Sequence, residues 1–168
     1  MKARDYILPE GYKIKGTNVV FNLEEIYKFC IRWFEHNGWT WAELSYRDST
    51  RPDGGKTIEY NWEARKDFDK YIAFVITMDV LIVAKEIEVE EGGRKLKRMK
   101  GILEFNFSAY LEKNDEKFGK GESGKFLRKL YEKYIIRKKI EDAEEIMYRE
   151  IIELINELKA FLSLHSVE

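Results

Sequence analysis

Residues 71–113 read YIAFVITMDVLIVAKEIEVEEGGRKLKRMKGILEFNFSAYLEK, and the fold turns on them. Two strand-like runs flank Glu91-Gly92-Gly93-Arg94, a two-residue hairpin signal. With the two glycines as the loop, Glu91 faces Arg94, Glu90 faces Lys95 and Glu88 faces Lys97. Opposite charges therefore meet across the strands at the tip. Further in, Phe74, Ile76, Met78, Val80 and Ile82 face Leu111, Ala109, Phe107, Phe105 and Leu103. All ten are apolar and share one face. A slip of one residue would destroy this match, so the register is well specified. Strands this long are expected to bend, and Gly101 is the natural place.

The same register lines up a polar row on the other face. Asp79 opposes Asn106, Thr77 opposes Ser108, and Leu81 opposes Glu104. Asp79 and Glu104 buried together would suit acid–base work, because one carboxylate raises the pKa of its neighbour. The plainer expectation is a half-solvated outer face. Val75, Tyr110, Val83 and Ile102 flank the row, so cover by another element or by a partner is a further alternative; the polar groups would then need mutual hydrogen bonds.

Upstream, residues 12–21 alternate in part and predict a strand interrupted at Gly16. Asn22, with Glu25 three residues on, has capping-box spacing. Leu23, Ile26, Tyr27, Cys30, Ile31 and Phe34 then recur at helical intervals, and Asn37-Gly38 supplies a stop. A helix is expected near 23–36. Residues 39–48 alternate, with Trp39, Trp41, Glu43 and Ser45 on one side and Thr40, Ala42, Leu44 and Tyr46 on the other. A turn over 51–55 leads to a returning strand at 57–64 and a second turn near 66–70.

Downstream of the hairpin the period lengthens to that of a helix. Phe126, Leu127, Leu130, Tyr131, Tyr134 and Ile135 make one apolar face, for a helix at 124–138. Met147, Ile151, Leu154, Leu158, Phe161 and His165 make another, for a helix at 140–165 with acidic residues at its start.

The chain has 168 residues, 44% of them hydrophobic, enough for one domain spanning 1–168 with its own core. Lysine and arginine number 30 against 31 acidic residues, so no global field attracts nucleic acid. The basic stretch 117–139 is read as the solvated face of an amphipathic helix. Cys30 is the only cysteine, which excludes a disulfide within one chain and a cysteine-based zinc site. Residues 1–9 hold no signal-peptide core, and the longest apolar run, 72–84, is too short and too polar to span a membrane. A cytoplasmic protein is expected. The charge-rich composition without glutamine is that of a thermophile protein.

Few motifs point to chemistry. Gly119 to Lys125 fits the spacing of a phosphate loop, but Phe126 stands where a magnesium-binding hydroxyl belongs, and the preceding strands are antiparallel. His36 and His165 lack ligand-spaced partners for a metal, and Cys30 falls on the apolar face of its helix. No cofactor and no catalytic residue are expected.

The result is an α+β fold: an antiparallel sheet of four to six strands in the order β-α-β-β-β-β-α-α. A long helix along such a sheet resembles the helix-grip arrangement of START-like domains, as an analogy of element order that no motif carries. Two functions follow. The first is a non-enzymatic binding protein holding an apolar small molecule or lipid between sheet and C-terminal helix, lined by Phe74, Met78, Phe105, Phe107, Met147 and Leu154. The second is a structural or adaptor protein acting as a homodimer or through a protein partner, by way of the seam on the last helix.

Overall fold

A computed structural model describes residues 2–114, 126–127, 129–130 and 137–166. Among these, the elements in chain order are β1 (Lys2–Tyr6), β2 (Tyr12–Phe21), α1 (Leu23–His36), β3 (Thr40–Thr50), β4 (Lys56–Asp67), β5 (Ile72–Glu91), β6 (Arg94–Asn114) and α2 (Arg137–His165). All strand pairings are antiparallel, and the architecture is α+β. The sheet runs β3-β4-β5-β6, with β1 and β2 sharing the far side of β6.

The β5–β6 hairpin has the register read from its side chains, from Ile72 opposite Lys113 to Glu91 opposite Arg94. Gly92 and Gly93 both have positive φ, 58° and 77°, as the tight hairpin turn requires. The ten facing apolar residues are all at most 2% exposed. At Gly101, a Cβ would stand 2.3 Å from the Val83 carbonyl oxygen, so only glycine lets the two strands approach there.

Helix α1 begins where its cap residue says. The Asn22 side chain accepts a hydrogen bond from the Glu24 N–H at 2.9 Å, and Gly38 follows the C-cap with φ 79°. The apolar stripe of α1 (Ile26, Cys30, Trp33, Phe34) enters the same core as Met147, Ile151, Leu154 and Leu158 of α2. Both helices therefore cover one face of the sheet.

Three local expectations are corrected. A β-bulge at Leu44 breaks the alternation of β3, so Trp41, Glu43 and Tyr46 pair with Ala64, Trp62 and Tyr60 on the helix-covered face, while Ser45 joins Asn61 on the other. Within the described residues helix α2 runs unbroken from Arg137 through residues 138–140, where a break between two helices was expected. Strand β1, whose sequence KARDY shows no apolar alternation, was not expected at all. The helix anticipated at 124–138 lies mostly outside the described residues; Phe126, Leu127, Lys129 and Leu130 are helical and exposed.

Candidate functional site

The six side chains expected to line an apolar cavity come together. Phe74, Met78, Phe105, Phe107, Met147 and Leu154 are all at most 2% exposed and belong to one contiguous core. The α2 seam is engaged in the same way. Met147, Ile151, Leu154 and Leu158 are buried against the chain's own sheet, and only Phe161 and His165 at its end stay half-buried.

The polar row also assembles, extended by a neighbour that the hairpin register alone could not supply. Asp79 pairs with Asn106 on β6 and with Asn61 on β4, and the Asn61 amide donates to the Asp79 carboxylate. Glu104 lies 3.6 Å from the Lys13 ammonium. The two carboxylates thus have separate partners, which leaves no shared-proton pair of the kind acid–base work uses. Thr77 and Ser108 face each other at half-buried positions. Together with Ser45, Arg47 and Glu59, the Asp79–Asn106 row borders a groove of about 380 Å³. Beyond Thr77 the outer face is covered. Val75 and Tyr110 are buried, the Arg65 guanidinium bonds Glu112 at 2.6 Å, and Arg4 lies 4.7 Å from the centre of the Tyr110 ring.

A larger cleft, about 930 Å³, opens between α1 and α2. Its construction follows from two contacts. The Phe29 and Phe161 rings lie 5.4 Å apart, and His165 Nε2 stands 4.0 Å from a Glu25 oxygen. Numbers rise along α1 as they fall along α2, so the helices run antiparallel here. One helical turn further, Arg32, Trp33 and His36 of α1 share the cleft with Glu153 and Glu157 of α2. Phe161 and His165 stack at 4.2 Å, and the His165 Nδ1 meets the Phe161 carbonyl at 2.8 Å, which fixes the ring against the aromatic wall. Both histidines of the chain line this one cleft.

The cleft's polar groups are incompletely partnered. Arg32, Glu35, Glu153 and Glu157 make no ion pair among the described residues, whereas Lys28 is held by Glu24 at 2.7 Å. That contact lowers the Glu24 pKa through a hydrogen bond and the ammonium charge. Trp33 is 5% exposed, and its indole N–H is buried without an acceptor among the described residues. A buried donor without a partner is uncommon in a folded protein. The indoles of Trp39 and Trp41 and the Oε2 of Glu150 share that condition.

Other candidate chemistry is quiet. Cys30 is wholly buried, and burial pushes its thiol up to about 12, far from a nucleophile's range. No group of three or more histidine, cysteine, aspartate or glutamate residues suited to a metal occurs among the described residues. The phosphate-loop match at 119–125 lies outside the described residues. Among the described residues, no helix is long and apolar enough to cross a membrane.

No protein-family model matches the chain, and no curated protein and no solved structure matches it either.

The sequence offered no direct sign of the cleft. Its halves lie at 25–37 and 153–165 and meet only through the packing of two helices against one sheet. The available signal was the tail of the α2 stripe, where Phe161 and His165 continue the apolar spacing past the point where the core needs it.

Proposed function

We propose that the protein is a non-enzymatic binding protein for a small molecule, and that its site is the cleft between α1 and α2. The observation that carries this reading is the combination of an open volume of about 930 Å³ with an aromatic wall and polar groups that make no ion pair among the described residues. Small-molecule sites pair apolar walls with a few convergent polar groups in this way. The six interior residues first considered as a ligand lining pack into the core, which supports a structural role for them. The seam of α2 is likewise spent on the chain's own sheet, so a homodimer through it would have to expose that stripe. The last helix against an antiparallel sheet keeps the likeness to a helix-grip layout at the level of element order, with the site displaced from the sheet–helix interior to the helix–helix cleft.

A fluorescent neutral probe tests the reading. N-phenyl-1-naphthylamine should brighten on binding, and Phe161→Ala should weaken it about tenfold by removing one aromatic contact surface. Phe161 is only half-buried, so the variant should stay folded. Binding unchanged in Phe161→Ala would reject the cleft as the site.

A further inference from the structure

Resting on that reading of the cleft, we infer that its ligand is a small aromatic amine, bound as the ammonium ion. Four carboxylates (Glu25, Glu35, Glu153, Glu157) face two permanent cations (Lys28, Arg32) and two histidines (His36, His165) in the cleft. Lys28 already serves Glu24 at 2.7 Å, so among the described residues three carboxylates without an ion pair (Glu35, Glu153, Glu157) face one such cation, Arg32. An ammonium placed near Glu153 and Glu157 gains two attractive partners that make no ion pair among the described residues.

The aromatic wall points the same way. Phe29 and Phe161 sit 5.4 Å apart along the floor, and the negative face of an aromatic ring attracts a cation. Carboxylates and ring faces repel an anionic head group, so both features discriminate with the same sign.

An aromatic body carrying an amine satisfies both features: its ring packs on Phe29 and Phe161, and its ammonium meets Glu153 and Glu157.

Three compounds with one body and three heads separate the possibilities by titration calorimetry: tyramine (ammonium), tyrosol (neutral) and 4-hydroxyphenylpropionate (carboxylate). Tyramine should bind about fivefold tighter than tyrosol, and the carboxylate should bind weakest. The double variant Glu153→Gln, Glu157→Gln should abolish the advantage of tyramine over tyrosol. Both positions are exposed, so the isosteric changes should not disturb folding. Equal binding of all three compounds would overturn the ammonium inference and leave the cleft as a site. Binding of none of them, checked at millimolar concentration, would overturn both.

Discussion

Gly101→Ala should cost roughly 3 kcal/mol of stability, a large effect for a single methyl group. The added Cβ would stand 2.3 Å from the Val83 carbonyl oxygen and 2.8 Å from the Ala84 Cα. Both are backbone atoms of β5, so no side chain can rotate away. Relief requires the two strands to part where Ala84 pairs with Gly101, next to the buried Ile82–Leu103 pair. Strain of this kind typically costs ~1–3 kcal/mol, and disturbed packing beside it adds to the loss. For a chain of this size the midpoint temperature should fall by roughly 6–12 °C. Urea unfolding followed by circular dichroism measures the change, with the midpoint shifting and the slope constant. Gly54→Ala is the control. It also has positive φ, 85°, but nothing lies within 4 Å of its Cβ, so only the backbone conformation is penalised, at about 1 kcal/mol. Equal losses at the two glycines would refute the argument from close approach.

Phe105→Ala, at a wholly buried core position, should lose about 3–5 kcal/mol in the same assay; a loss under about 1 kcal/mol would mean that the interior is loosely filled. Glu43→Ala removes the acceptor that receives the Trp62 indole N–H at 2.9 Å, and orphaning this buried donor should cost roughly 1–3 kcal/mol. Burial raises the Cys30 thiol from 9.0 and the Tyr60 hydroxyl from 10.0, each to about 12. The folded state then holds these protons more tightly than the unfolded state, so the stability they contribute is intact below pH 9 and declines as pH rises toward 12. Cys30→Ala should flatten that decline in pH-dependent denaturation. A thiol reagent should label native Cys30 only at the rate at which the chain opens, and rapid labelling of the folded protein would contradict its burial.

The hairpin was the most legible part of the chain because two independent patterns agree on one register. Charges pair at the tip from Glu88 to Lys97, and ten apolar residues pair further in. Helix α1 was legible through its cap and its stop. Strand β3 was legible as a strand but not in its facing, because the bulge at Leu44 inserts one residue that no alternation of side chains announces. Strand β1 is an edge piece held by main-chain pairing to residues 110–114, so its polar sequence needs no strand pattern. The start of α2 was set a few residues late because acidic residues at 141–145 look like a first turn, whereas the helix already includes Arg137, Lys138 and Lys139. The polar row was visible across β5 and β6, but Asn61, which satisfies Asp79, comes from a strand whose register the hairpin does not determine. The cleft depends on a tertiary contact, Phe29 with Phe161, between residues far apart in sequence, and no local pattern encodes it.

The most direct test of where a ligand sits is the set of intermolecular nuclear Overhauser effects from tyramine protons in the bound complex. The account predicts contacts to the rings of Phe29 and Phe161, at the floor of the α1–α2 cleft. Contacts instead to the rings of Phe105 and Phe107 and the methyl group of Met147 would place the ligand between sheet and helix and contradict it.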